Sequence, residues 1–576
     1  MSLRLLSLPC EARALALKQL RAVPARSFWS STASQAATKP SGPEIYDVVC
    51  VGGGPAGLSL LSALRSSKST SHLKIALIEG QDLNKSQQQY GSITGYSNRC
   101  SSLTPGSVKF LTDIGAWQHV NASRVQPYHS MQVWDGVSGS SITFDPQPTR
   151  SAPYPGYPPT NTSSTIATMT ENANLTSGLF THLSTLPPID IHSSTRVENI
   201  ELGTETEEAD LSSWPIVTLS SSKQLAARLL VGADGQNSPV RTFAGIPSRG
   251  WDYGRMGVVA TMRLSSAPGG DARIAYQRFL PTGPVALLPL PGDMASLVWS
   301  TTPANAALLK LLPKEDFIAM VNAAFRLLPV DLAYMHTLSS GQAEEVAWRE
   351  PNTSFSHMQV PPKVVDVQDG SVAPFPLKMR HADTYHGQRV ALIGDAAHTI
   401  HPLAGQGLNQ GLGDAAALAS HIEKAVNVGW DVGSSWALEG YTAEQWIKNN
   451  AMLGVVDKLH KVYSAESGPV VWGRSLGLDL VDKLGGLKGW FMRQAAGGKR
   501  GRGHKAAWMP RLCGRILHLK QLKSYNIRPH INNRRGTVEA NPLYLTPRSP
   551  VEVPQSSFQP IILSLNRTIT PAPITI

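Results

Sequence analysis

Two glycine-rich stretches carry the residue types that hold polar, multiply charged ligands. In the first, Gly52, Gly54 and Gly57 stand in GGGPAG with the spacing GxGxxG, and Glu79 follows 22 residues after the last of them. In the second, Gly394 and Asp395 open GDAAHTIHPLAGQGLNQGLGDA, which continues through Pro402, Gly405, Gly407, Leu408 and Asn409 to Asp414. Glycine removes the Cβ that would keep a ligand off the backbone, and a helix starting there presents unpaired N–H groups and about half a positive charge. A carboxylate at a strand end suits a sugar hydroxyl, the role expected of Glu79 and open to Asp395. A third acid, Asp234, ends the apolar run of LLVGADGQNSPV.

These residues act together only if strands and helices position them. Residues 45–51 are an apolar strand, Leu58, Leu60, Leu61 and Leu64 recur at helical spacing, and residues 73–78 form a second strand leading to Glu79. Strand, helix, strand and acid make one βαβ unit of about 30 residues, the frame that gives GxGxxG its meaning. A pyrophosphate is expected on Gly54 to Gly57 and a ribose on Glu79. The frame does not separate NAD from FAD. Residues 389–393 predict a short strand, and a helix is predicted from near Gly407.

Between these anchors, residues 105–114 predict a helix behind Arg99, residues 128–142 sheet, residues 151–164 a loop and residues 169–183 a helix. Alternation over residues 254–376 predicts a mostly antiparallel sheet with a helical patch near 317–328. Helices are predicted at 435–463 and 469–491. In the latter, Val470, Leu476, Leu480, Leu484, Leu487 and Phe491 make an apolar stripe suited to the body or to a membrane surface.

A chain of 576 residues is long enough for two or more domains. Its net charge of +11 belongs to the ends: residues 1–40 hold six Lys/Arg against one acid and residues 499–576 thirteen against two, so the body between them is net acidic. That gives no support to a nucleic-acid-binding body. The leader, with Arg4, Arg13, Lys18, Arg21 and Arg26 among Leu, Ala and Ser, has the composition of a mitochondrial transit peptide. The segment from 498 to 576 is basic and aperiodic, and disorder is expected there. Four cysteines without metal or redox spacing fit a reducing compartment. His398 and His401 lack a complete ligand set, and no metal is expected.

The framed GGGPAG, the NRCSSLTPGSVKFLTDIGAW segment, the DG at 234–235 and the GDAAH and HPLAGQGLN pair resemble the fingerprints of the aromatic-ring hydroxylase family of FAD monooxygenases, over about residues 44–495. The resemblance implies an α/β fold like that of p-hydroxybenzoate hydroxylase: a Rossmann-like FAD-binding domain, an inserted mostly antiparallel β-sheet substrate domain and C-terminal helices. Its segments are expected at 44–118, 170–250 and 380–430 for FAD, at 119–169 and 251–379 for substrate, and at 431–497 for the helices. It implies bound FAD, with Gly52, Gly54, Gly57, Glu79 and Arg99 on its dinucleotide part. Asp234 would tie the FAD and substrate regions together, and Asp395 would contact the ribityl or ribose region. Pro402, Gly405, Gly407, Leu408 and Asn409 would lie along the isoalloxazine ring. The chemistry would be the flavin's, so no catalytic side chain is named.

Within that family the chain most resembles the mitochondrial flavin monooxygenases of ubiquinone biosynthesis, through NRCSSLTPGSVKFLTDIGAW, MQVWDG, QRFLPTGPVALLPL and GDAAHTIHPLAGQGLNQGLGD. This implies hydroxylation of a polyprenylated hydroxybenzoate at ring position 5. It also implies electrons from a mitochondrial ferredoxin and its reductase, companion proteins of the pathway, and peripheral attachment to the matrix side of the inner membrane. Alternatives are an NAD(P)H-dependent phenol-type hydroxylase or epoxidase of another small molecule and a flavin-stabilised scaffold. A flavin halogenase would need WxWxIP, which neither Trp251 nor Trp299 provides.

Overall fold

The computed structural model describes residues 42–463, apart from 93, 146–164, 206, 208, 266–272, 356–359 and 400–405. The leader at 1–40, the loop at 151–164, His401, Pro402, Gly405, the helix at 469–491 and the tail from 498 lie outside the described residues.

The chain begins with β1 (Glu44–Val51), α1 (Pro55–Ser66) and β2 (Ile75–Ile78), the βαβ unit expected from the glycine spacing. β1 pairs in parallel with β2 on one side and with β3 (Gln224–Gly232) on the other. A strand buried on both faces needs a continuous apolar run, and Val48, Val49 and Cys50 are fully buried. α1 is tied down at its far end by Arg65, whose Nη1 donates to the Ser71 and Leu73 carbonyls and whose Nη2 donates to that of Pro188. The guanidinium thus joins the helix end to the loops entering two strands of the sheet.

The second sheet is built on β4 (Ser248–Leu264), a 17-residue strand antiparallel to β5 (Met294–Thr301) and β6 (Ala373–Ala382). One face of it, with Val258, Ala260, Met262, Leu297 and Trp299, packs against Phe317, Met320, Val321 and Phe325 in a separate core. The expected helical patch is Lys314–Arg326, and it has company: Pro303–Leu311, Pro329–Met335 and Gln342–Arg349 are helices too. Thr302 before Pro303 caps the first of these by accepting from Asn305 N, a start signal that the overall alternation hid.

A second departure concerns residues 169–171. They belong to the strand Ala167–Glu171, and the helix starts only at Asn172. That strand is the middle of a three-stranded sheet, pairing with Cys100–Leu103 and Val125–Tyr128. Its last residue, Glu171, is fully buried and accepts from Tyr90, Ser97 N and Arg124, an arrangement an exposed helical turn would not provide.

Short crossings join the two large sheets: four residues after β6 ends at Ala382, His386–Gly387 is paired in the first sheet, and the next crossing leads back. β7 (Val390–Leu392) lies beside β3 in the first sheet, and six residues later β8 (His398–Thr399) pairs with β6 at the edge of the second. After it come α2 (Gly407–Asn427) and α3 (Ser435–Tyr463). α3 spans the range its spacing predicts.

A Cβ added at Gly57 would stand 2.1 Å from the Gly52 carbonyl oxygen, a backbone atom that has no rotamer to yield. Gly57→Ala is expected to destabilise the chain by about 1–3 kcal/mol through overpacking. Urea denaturation of the flavin-free protein checks this: an unchanged midpoint would contradict the packing of α1 on its strand.

Candidate flavin site

Gly54 is the N-cap of α1, with extended backbone (φ −72°, ψ 177°), Pro55 at the first helical position and no side chain capping the end. A Cβ built on Gly54 meets nothing within 4 Å, whereas Gly52 (φ +109°) and Gly57 are enclosed by protein. The three glycines therefore differ in purpose. Gly52 and Gly57 let the chain pack on itself, and Gly54 leaves open space before a helix N-terminus, where an anion is favoured. Glu79 accepts from Gly53 N at 2.5 Å and from Gln81 N at 2.8 Å, which fixes its carboxylate beside the turn with lone pairs to spare for a ribose.

The later fingerprint reaches the same place. α2 starts at Gly407 after Gln406, again without a side-chain cap. A Cβ on Gly394 (φ +59°) would lie 3.3 Å from Ala56 Cβ and 3.9 Å from Gly411 Cα, so the starts of α1 and α2 and the turn at Gly394 are in contact. Asp395 sits in the 3₁₀ turn Gly394–Ala396. It is exposed by its accessible surface, yet burial raises its pKa above the usual carboxylate range while His398 opposes that rise. Protein crowds the carboxyl on part of its surface, and one side is open.

Asp234 follows β3. Its Oδ2 accepts from Val240 N at 3.2 Å, and its buried Oδ1 has no partner. Burial pushes its pKa up, against the opposing pull of Ser238, the Val240 N–H and Arg241. Arg99 is exposed, its backbone carbonyl accepting from Asn172 N. Leu408 is half-buried against the first core. Asn409 is spent within the protein. Its Oδ1 accepts from Thr104 N and Ser107 Oγ and its Nδ2 donates to the Ser102 carbonyl, so it fastens the start of α2 to the helix Pro105–Asp113. Pro402 and Gly405 lie outside the described residues.

Two residues join the site that the motifs did not mark. Gln410, in the first turn of α2, is buried with neither its amide oxygen nor its amide nitrogen bonded among the described residues, and the buried Thr399 Oγ1 likewise has no partner among them. Orphaned buried polar atoms cost about 1–3 kcal/mol each, which a polar ligand relieves. Gln410 directly follows the predicted GQGLN segment, and the helical turn alone would have signalled it. The set of groups fits FAD. Open backbone and two uncapped helix starts suit the pyrophosphate, Glu79 the adenosine ribose, and Asp395 the ribityl chain. The Gln410 amide, with a donor and an acceptor, suits the polar edge of the flavin ring.

The FAD binding domain family matches residues 45–452. Ubiquinone biosynthesis monooxygenase COQ6, mitochondrial, of Saccharomyces cerevisiae is 40% identical over 485 residues, 81% of this chain and 96% of that protein. Its Homo sapiens counterpart is 37% identical over 453 residues, 78% of this chain and 92% of that protein. Among solved structures, p-nitrophenol 4-monooxygenase PnpA from Pseudomonas putida DLL-E4 superposes with a TM-score of 0.55 at 18% identity, covering 80% of this chain and 100% of that one, a likeness of fold.

Gly54→Val separates folding from cofactor binding. A Cβ there meets nothing within 4 Å, so the denaturation midpoint of the flavin-free chain is expected to stay put. The intrusion into the ligand's space is expected to cost about 1–3 kcal/mol, roughly 10- to 100-fold in the Kd for FAD. Flavin fluorescence titration measures it, and wild-type affinity in the variant would contradict the placement.

Proposed function

Because the chain belongs to the FAD binding domain family, and within it to the ubiquinone biosynthesis monooxygenases, it is a flavoprotein monooxygenase, and we propose that it hydroxylates the ring of a polyprenylated hydroxybenzoate at position 5. The observation that carries the substrate class is the second sheet. Turned away from the helices, Val259, Ala286 and Val298 from three neighbouring strands stay partly exposed, and the sheet carrying them is joined through β8 to the turn at Gly394–Ala396. Small, uncharged side chains there suit an aromatic ring with a hydrocarbon substituent.

When bound and reduced, FAD supplies the activation of oxygen and the transfer of one oxygen atom to an electron-rich ring. The chain's own residues bind, orient and exclude water. Glu79 and Asp395 accept from the sugar and ribityl hydroxyls, and Gly54 lets the pyrophosphate reach the α1 N-terminus. The start of α2 puts its positive end where negative charge develops on the ring system. The apolar strip on β4, β5 and the strand Gly283–Pro289 receives the substrate and keeps water from the reacting atoms.

Electrons are assigned to a mitochondrial ferredoxin and its reductase. The described residues contain one framed dinucleotide unit, which FAD takes up. The relatives are mitochondrial monooxygenases of ubiquinone biosynthesis. For this chain the same location, with a cleaved leader, companion proteins of the pathway and peripheral attachment to the matrix side of the inner membrane, completes the reading. Among the described residues no helix is long and apolar enough to cross a membrane. A prenyl tail keeps its substrate in the bilayer at about 0.8 kcal/mol per buried methylene, so the enzyme works at the surface.

The test incubates FAD-loaded protein with vesicles containing prenylated hydroxybenzoate and either NADPH alone or NADPH with ferredoxin and ferredoxin reductase. Hydroxylated product is expected only in the second mixture. Full turnover with NADPH alone contradicts the electron source, and no product in either mixture contradicts the substrate.

A further inference from the structure

Gly95 to Arg99 runs between the helix Leu83–Ser92 and the strand Cys100–Leu103 and belongs to no helix or strand itself. A backbone outside any ladder must find its hydrogen-bond partners elsewhere, and here side chains distant in sequence supply them. Gln368 takes Tyr96: its Oε1 accepts from Tyr96 N and its Nε2 donates to the Tyr96 carbonyl, each at 2.8 Å. One side-chain amide thus makes both bonds that a residue of a neighbouring strand would make. The fit is close, since a Cβ added at Gly95 would collide with that amide. Asn98 Nδ2 donates to the Ser371 carbonyl at 2.7 Å.

Gln368 and Ser371 are themselves fastened to the second sheet. Gln368 N donates to the carbonyl of Thr261, on β4, at 2.9 Å. Ser371 Oγ accepts from Thr261 N at 3.1 Å and donates to the Gln368 carbonyl at 2.6 Å. Thr261 and Ser371 are buried, so this anchor is rigid. From the three-stranded sheet, Glu171 accepts from Ser97 N, and Arg124, ion-paired with Glu171 at 2.7 Å, donates to the Gly95 carbonyl. Arg99 is the exposed end of the segment held in this way, and its own carbonyl accepts from Asn172 N.

We propose that Gln368 is a positioning residue for the cofactor: by pairing with the Tyr96 backbone it holds the Arg99 segment on β4, so that the guanidinium is in place to meet FAD. This rests on the reading of Arg99 as an FAD contact. An arginine on an unanchored segment loses backbone freedom when it binds an anion, and that loss weakens affinity; a segment ordered beforehand loses little. The pairing demands an amide. A carboxylate at 368 accepts from Tyr96 N but sets a second acceptor against the Tyr96 carbonyl, and an alanine makes neither bond. Thr261 lies two residues beyond Val259 on β4, and alternate residues of a strand share a face. The same amide therefore ties Arg99 to the strand that carries the proposed substrate wall.

The test is FAD affinity of the full chain, measured by flavin fluorescence titration in a double-variant cycle. Arg99→Ala is expected to weaken binding by about 10- to 100-fold, the worth of a hydrogen bond to a charged group. Gln368→Ala and Gln368→Glu are each expected to weaken it by about 5- to 10-fold, and Asn98→Ala by about 3-fold. In the Arg99→Ala background all three are expected to leave the affinity nearly unchanged, because the order they confer has no guanidinium left to act through. A merely structural contribution would instead cost the same in both backgrounds.

Equal losses in the two backgrounds overturn the inference, and so does wild-type affinity in Gln368→Ala beside a weak Arg99→Ala; both leave the Arg99 contact standing. Wild-type affinity in Arg99→Ala overturns the contact itself. Where Gln368→Ala does not fold, Asn98→Ala, which removes one bond of the same anchor, decides by the same cycle.

Discussion

The contact of three backbone segments around Gly394 constrains the rest of the molecule. With φ at +59° and Ala56 and Gly411 packed against it, this turn brings the starts of α1 and α2 to one point, although 352 residues separate Pro55 from Gly407. Each uncapped start carries about half a positive charge, so their convergence is repulsive until an anion lies between them. A pyrophosphate meets that need and makes the cofactor part of the fold's electrostatics. Asp414 keeps the junction closed by bonding Gly394 N, His398 and Asn449, which brings α3 into the same assembly.

From this junction the chain leaves one sheet and enters the other. Strand β7 ends at Leu392 and β8 pairs with β6 from His398, so the few residues between them, Asp395 among them, span the passage from one sheet to the other. In the proposed reading, the cofactor and substrate have the parallel sheet and its helix starts on one side and the antiparallel sheet on the other. The first supplies charge and hydrogen bonds, the second an apolar wall. The fold itself serves many reactions, so the substrate class rests on the wall's side chains and on close relatives.

The βαβ unit, the strand before Gly394, the helix starting at Gly407 and the helix at 435–463 were legible in sequence. In each, a strong local signal, a continuous apolar run or a glycine that only a turn explains, agrees with the tertiary environment. Three of the four helices over 303–349 were not, because the alternation of the strands around them set the expectation for the whole stretch. The strand at 167–171 was hidden because its burial depends on partners at 100–103 and 125–128, too distant for any local pattern. Asn409, marked by motif, spends its side chain on Ser102, Thr104 and Ser107, while the buried Gln410 beside it was not singled out. Motifs mark which residues recur, and only the helical geometry tells which way each one is spent.

The central claim is that both fingerprints hold one FAD, its pyrophosphate at the start of α1 and its flavin end at the junction of the two sheets. The most direct measurement is a crystal structure of the chain with FAD added. The account predicts density for the adenosine ribose within hydrogen-bonding distance of Glu79, the pyrophosphate before Gly54 and the ribityl chain on Asp395, with the ring reaching Gln410. FAD lying elsewhere, or a cofactor bound at the first fingerprint that leaves Asp395 and Gln410 without a ligand contact, would contradict it.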